Sequence, residues 1–295
     1  MFRNAAELVK LAESKNMKIS EIMIRKEVEE RGKSREEVLQ QMDENLKVME
    51  QAVERGAKEG VKSRSGLTGG DAVLLQEYIE KGNTLAGPLL LDAASKAMAT
   101  NEVNAAMGTI CATPTAGSAG VVPGTLFALK EKLNPTREEM ISYLFAAGAF
   151  GYVVANNASI SGAGGGCQAE VGSAAGMAAA ATVELAGGTP QQSADALAIA
   201  LKNMLGLVCD PVAGLVEVPC VKRNAMGASN AIVAADMALA GIQSRIPCDE
   251  VIEAMYKIGQ MMPTALKETA QGGLAATPTG RALEERIFGM PLGKK

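Results

Sequence analysis

A chain of 295 residues with 47% hydrophobic content and a formal net charge of −4 has ample material for a sizeable core. Its basic residues form no stripe, which argues against a nucleic-acid or anionic-membrane partner and favours small-molecule chemistry. Histidine is absent, so zinc-hydrolase chemistry and a Ser-His-Asp triad are both excluded within one subunit.

Only 3% of residues are aromatic and there is no Trp, while Gly, Ala and Met are abundant, so helices are expected to pack closely through small side chains and flexible methionines. Five cysteines, an odd number, follow an amphipathic start, MFRNAAELVK. Without an apolar leader a disulfide framework is not expected, and the cytoplasm is the natural compartment. Runs of β-branched residues with period two are scarce, which predicts an all-helical domain.

Residues 4 to 60 carry helical punctuation, with Asn4 and Ser20 as expected N-caps and Ser34-x-x-Glu37 as a capping box. Val38, Met42, Leu46, Met49 and Val53 step by three or four along one long helix. That stripe reads either as ordinary core or as a docking arm for a second subunit. We treat 1–60 as an N-terminal helical segment packed on or leading into a domain at 61–295.

KSRSGLTGGDA at 62 to 72 predicts a glycine turn, its amides able to face an anion beside Lys62 and Arg64, with Asp71 capping the next helix. An Ala-rich helix from Pro88 to Ala106 leads to CATPTAGSAGVVPG. There Thr113, Thr115, Gly117 and Ser118 offer short hydroxyls and bare amides suited to a carboxylate, or else form a plain connector. Thr136-x-x-Glu139 opens the next helix, and Thr189-Pro190-x-Gln192 another with Pro at its first position. Between them Val171 to Ala186, interrupted by Glu184, is too short a run for a membrane span and reads as a buried helix. After Pro247 a helix carrying Val251, Met255, Ile258 and Met262 leads to a last loop, GGLAATPTG.

Cys167 follows three glycines, Cys209 precedes Asp210-Pro211 and Cys220 follows Pro219, which predicts all three on loops rich in backbone donors, as an iron-ligating thiolate needs. Their C-x41-C-x10-C spacing matches no compact zinc or ferredoxin pattern, so three ordinary buried thiols remain the alternative. Cys111 and Cys248 are read as structural. The GAGGG before Cys167 lacks the Lys-Ser or Lys-Thr of a nucleotide loop, and no lysine between Lys132 and Lys202 offers a Schiff base nearby.

Five ordered motifs, RSGLTGGDA (64–72), TPTAGSAGVVPG (113–124), SISGAGGGCQAEVGSAAG (159–176), GLVCDPVAGLVEVPC with KRNA after it (206–225), and ETAQGGLAATPTG (268–280), resemble the α subunit of iron–sulfur L-serine dehydratase. The resemblance covers most of the chain from about residue 60. It implies that Cys167, Cys209 and Cys220 hold a [4Fe–4S] cluster on three irons. The fourth, open iron would then act as a Lewis acid in β-elimination of water from L-serine to pyruvate and ammonia. It makes Thr68, Thr113, Thr115, Gly117, Ser118 and Ser161 candidate substrate-binding residues, and Lys62, Ser63, Ser65 and Lys202 catalytic candidates.

The family commonly pairs this part with a separate β subunit, so a hetero-oligomer is expected, and a histidine of that subunit is a further candidate base. Some fused members place a cysteine at the extreme C-terminus; this chain ends GMPLGKK. Competing readings are a related iron–sulfur lyase acting on another substrate such as cysteine, and a redox or electron-transfer cluster protein, which would more commonly use four protein ligands.

Overall fold

Local capping sets where most of the helices begin. In the computed structural model, which describes residues 2–289, Asn4 accepts the amide of Glu7 at 2.8 Å at the head of α1 (Ala5–Lys15). The Ser34/Glu37 capping box opens α3 (Arg35–Glu59). Between them α2 (Ile19–Arg31) departs from expectation: Ser20 lies inside it, and no side chain of its own first turn caps it. The Glu184 carboxylate instead accepts the Ile19 amide at 2.6 Å and the Ser20 amide at 3.3 Å. A local reading assigned the cap to the nearest serine, while the oxygen comes from 164 residues away.

After α3 come α4 (Asp71–Glu80), α5 (Pro88–Ala105), α6 (Val121–Leu133) and α7 (Arg137–Asn157). The Thr136/Glu139 box starts α7 as expected. Gly70, not Asp71, is the cap residue of α4, and Asp71 is its first helical residue. One short turn, α8 (Gly162–Gly165), precedes the buried helix α9 (Ser173–Leu185). Then follow α10 (Pro190–Lys202), opened by the Thr189/Gln192 box, α11 (Cys220–Leu239), α12 (Cys248–Met261) and α13 (Pro278–Phe288). The end of the last motif, TPTG, is not all loop: Thr277 caps α13 by accepting the Gly280 amide at 3.1 Å.

The fold is all-α, a single helical domain of thirteen α-helices with no strand among the described residues. Two isolated bridges occur, Lys62 with Gly69 and Cys209 with Lys267. Helix α9 is the hub, packed against α6, α7, α10 and α11. Its run of alanines is buried, so neighbours approach without large side chains between them. The same logic holds where α6 crosses α5: a Cβ on Gly120 would stand 2.1 Å from the Ala97 carbonyl oxygen, so only glycine permits that contact. Val38, Leu46, Met49 and Val53 of α3 are buried in the main core with residues of α1, α2 and α7. The stripe is therefore core, and the docking-arm reading fails because this face is already covered. No helix is long and apolar enough to cross a membrane among the described residues. GMPLGKK lies outside them from residue 290 on.

Candidate active site

Three chain segments bring the three motif cysteines together. Cys167 ends the glycine loop after α8, Cys209 lies in the loop after α10, and Cys220 is the first residue of α11 rather than a loop residue as its Pro neighbour suggested. All three thiols are buried. Burial pushes Cys167 up to about 11, opposed by the positive charge of the Arg223 guanidinium. Burial, then the charge of Glu170, then that of Cys167 hold Cys209 far above the ordinary thiol value. Burial and the charge of Cys167 do the same for Cys220. Cys209 and Cys220 thus both feel the charge of Cys167. Among the described residues no three His, Cys, Asp or Glu side chains are grouped closely enough to hold a single metal ion.

The loops carrying these thiols are braced from behind. Gln168, fully buried, donates to the Gly165 and Met255 carbonyls and accepts the Gly206 amide, each at 2.9 Å, which ties the Cys167 loop to α12 and to the approach to Cys209. Cys209 pairs by backbone with the end of the chain, its amide on Leu266 O at 2.9 Å and its carbonyl accepting the Glu268 amide at 2.7 Å. Asp210 pairs with Arg223 at 2.9 Å and accepts the Leu274 amide at 2.7 Å. Ala213, Glu268 and Ala270 all hold positive φ (56°, 62° and 55°), a conformation unfavourable for residues with a Cβ and concentrated here around Cys209.

The threonine loop reaches the same place. Thr115 Oγ1 donates to Glu170 Oε1 at 2.8 Å, and Cys209 Sγ lies 3.8 Å from Glu170 Oε2. Burial raises the Glu170 carboxyl, with the Thr115 hydroxyl opposing. Ser118 Oγ bonds within the loop, to Thr113 O at 3.1 Å and Thr115 Oγ1 at 3.2 Å, and the Thr113 hydroxyl to Ala119 O at 3.3 Å. Asn224, wholly buried, accepts the Gly120 amide and donates to the carbonyls of Gly117 (2.7 Å) and Cys220 (2.9 Å). That one amide fixes the threonine loop to the first turn of α11. Asn101 also donates to Gly117 O, and its own oxygen is buried without a partner. Ser161 caps α8 by accepting the Gly164 amide at 3.1 Å, next to Gly162, which faces Cys209.

The RSGLTGGDA loop closes on the same α11 turn through Glu217. Ser65 Oγ donates to its carboxylate oxygens at 2.9 and 2.8 Å, Thr68 Oγ1 at 3.1 Å, and Ser63 Oγ lies 3.2 Å behind Ser65. Lys62 is exposed, and its backbone pairs with Gly69. Lys202 stands apart: its ammonium donates to Ser244 Oγ at 2.8 Å and Ser244 O at 2.6 Å. The structure thus gathers the cysteines, the threonine loop and the serine loop, and leaves Lys202 in other company. Glu170, Glu217, Arg223, Asp210, Asn101 and Asn224 escaped the sequence reading. Two signals were present: Glu170 and Glu217 each stand three residues from a motif cysteine, and Glu170 is the sole charged residue between Glu139 and Glu184.

The model of the family described as "Serine dehydratase alpha chain" matches residues 14–275. A Bacillus subtilis protein named "Probable L-serine dehydratase, alpha chain" is 76% identical over 295 residues, all of this chain and 98% of that one. The "L-serine dehydratase, alpha chain" of Peptoniphilus asaccharolyticus is 40% identical over 283 residues, 96% of this chain and 97% of the relative. The "L-serine dehydratase" of Streptomyces coelicolor is 39% identical over 282 residues, and that match spans 60% of its length.

Proposed function

The chain belongs to the serine dehydratase alpha chain family, and from that premise we propose that it catalyses β-elimination of water from L-serine, a lyase reaction giving pyruvate and ammonia. The observation that carries this reading is the convergence of Cys167, Cys209 and Cys220, three buried thiols from three separate segments, of which Cys209 and Cys220 lie close enough to Cys167 to be raised by its charge. Such a donor set fits a polynuclear cluster better than a single ion, because a cluster takes each thiolate on a different iron. Cys167, Cys209 and Cys220 would hold a [4Fe–4S] cluster by three irons, and when bound it supplies an open iron that acts as a Lewis acid on the serine hydroxyl. Binding requires the thiols to lose their protons, against the upward shift described above, so loading releases protons and is favoured by higher pH.

The chain's own residues do the rest. Thr113, Thr115, Gly117 and Ser118 take the substrate carboxylate, on a loop whose position Asn224 fixes relative to Cys220. Thr68 and Ser161 complete the wall. Burial of the site excludes bulk water, so each hydrogen bond to the substrate counts for more than it would in solution. The Cα proton goes to a positioned base, for which Lys62, Ser63 and Ser65 stand on the loop facing α11. Lys202 is the weakest in-chain candidate, since two of its donors are held by Ser244. With no histidine in this chain, an imidazole would have to come from a separate β subunit, the partner we propose for an α chain of this family. The released enamine tautomerises to an imine and hydrolyses in water. The cytoplasm is the proposed compartment.

Anaerobic purification with iron and acid-labile sulfide analysis, together with pyruvate formation from L-serine, tests the reading. Activity is expected to decay in air, to recover with ferrous iron and a thiol, and to ignore hydroxylamine-type reagents. Dependence on added pyridoxal phosphate, or faster turnover of L-cysteine than of L-serine, would overturn it.

A further inference from the structure

We propose that Glu217 is the specificity-determining anchor for the substrate's α-ammonium group, acting by its own charge and through the Ser65 and Thr68 hydroxyls that it orients. The proposal rests on the serine dehydratase reading and names the subsite that reading leaves unassigned.

Glu217 is 5% exposed. Its carboxylate accepts from two hydroxyls, Ser65, whose single proton faces both oxygens, and Thr68, and among the described residues no lysine or arginine forms an ion pair with it. The loop's own cations do not serve: Lys62 and Arg64 are exposed. A buried carboxylate without a counter-cation is costly, and a ligand that brings a positive charge removes that cost. L-Serine carries such a charge on its α-nitrogen.

The hydroxyls sharpen the discrimination. A serine or threonine hydroxyl has one proton to give and two lone pairs. The protons of Ser65 and Thr68 are committed to Glu217, and Ser65 Oγ also accepts the Leu67 amide at 3.0 Å. Ser65 Oγ also takes the Ser63 hydroxyl at 3.2 Å, which uses its second lone pair, so what the loop still offers a ligand is lone-pair density on Thr68 Oγ1 beside the Glu217 carboxylate. That oxygen and the carboxylate accept from an ammonium and repel a carboxylate. The amides of the glycine turn do face an anion, but it is the chain's own Glu102 carboxylate, which accepts the Asp71 amide at 2.7 Å.

Placement supports the assignment. The Glu217 carbonyl accepts the Val221 amide at 3.0 Å, so the anchor belongs to the same turn of backbone that presents Cys220. Glu102 is the other buried carboxylate near this loop: its Oε1 accepts the Asp71 amide at 2.7 Å at the head of α4, while its Oε2 is buried without a hydrogen-bond partner and, unlike Glu217, it orients no hydroxyl of this loop.

Calorimetric titration of the cluster-loaded enzyme with L-serine and with L-glycerate, in which a hydroxyl replaces the ammonium, tests the proposal. In Glu217→Gln, L-serine is expected to bind roughly 10- to 100-fold more weakly while L-glycerate is unaffected, the scale of losing one charge-assisted partner. Ser65→Ala, which keeps the carboxylate, is expected to weaken L-serine selectively but less, and it decides the matter should Glu217→Gln lose its cluster. Glu217→Asp is expected to restore part of the preference. Equal weakening of both ligands in either variant would overturn the proposal, because a merely structural role cannot tell an ammonium from a hydroxyl. Selective loss in a protein that binds but does not turn over L-serine would instead overturn the reaction and leave the subsite standing.

Discussion

Replacing Gly162 by alanine tests whether the three thiols form one site. A Cβ there would lie 2.6 Å from Cys209 Sγ, 2.8 Å from Glu170 Oε2 and 3.2 Å from Cys209 Cβ. Ordinary non-bonded separations are about 3.5–4.0 Å, so these atoms must retreat by roughly 1 Å. The Cys209 backbone cannot supply the movement, since its amide and carbonyl are both paired with residues 266 to 268. Glu170 is held by Thr115 at 2.8 Å. The thiol must therefore turn to another staggered position, which carries its sulfur away from Cys167 and Cys220. Overpacking of this kind costs about 1–3 kcal/mol, and each kcal/mol corresponds to about 2–4 °C in Tm for a domain of roughly this size. The assay is iron and sulfide per chain after anaerobic reconstitution, with Tm of the metal-free protein alongside. Gly148→Ala is the control, because a Cβ at Gly148 meets nothing within 4 Å, and a helical Gly→Ala change in open space is stabilising by up to about 1 kcal/mol. Gly162→Ala is expected to lose most of its iron and Gly148→Ala none. A Gly162→Ala protein with full cluster content and an unchanged Tm would refute the argument.

Cys167→Ser, Cys209→Ser and Cys220→Ser are each expected to abolish iron binding and serine turnover, while Cys111→Ser and Cys248→Ser keep both; equal loss from all five, by iron analysis, counts against the assignment. The chain alone is expected to turn over L-serine some 10²–10⁴-fold more slowly than with a β subunit, mainly in kcat, if that subunit brings the base; full turnover by the isolated loaded chain would return the base to Lys62 or the loop serines. Stability is expected to fall as pH rises from the ordinary glutamate value of 4.5, in part through Glu184. Burial, opposed by the Ser20 and Ile19 bonds, raises its carboxyl in the folded state, so the folded chain binds that proton more tightly than the unfolded one, and its contribution is lost between the two values. Urea midpoints across this range should vary less in Glu184→Gln, and an unchanged profile would show that the group does not titrate there.

What could be read in the sequence was what depends on neighbours in the sequence. The boxes at Ser34/Glu37, Thr136/Glu139 and Thr189/Gln192 and the Asn4 cap start helices where expected, because each needs only four consecutive residues. The contexts of Cys167 and Cys209 predicted loops, as found, whereas Pro219 precedes a helix rather than interrupting one. Glu217 and Glu170 were not legible, since each takes its role from hydroxyls 149 or 152 and 55 residues away respectively. The α3 stripe shows the same limit from the other side. Its period was plain, but whether its face met core or solvent depended on α1, α2 and α7.

The borrowed caps of the first two helices bear on how the chain is made. Helix α2 draws its N-terminal acceptor from Glu184, and α1 supplements Asn4 with the Asp249 carboxylate, which accepts the Ala5 and Ala6 amides at 2.7 and 3.0 Å. On a ribosome adding about 5–20 residues per second, residue 249 emerges roughly 10–50 s after the first. Through that interval the amino-terminal helices have been synthesised but lack the oxygens that complete their first turns. Their final capping therefore comes late in synthesis, set by the arrival of Glu184 and Asp249.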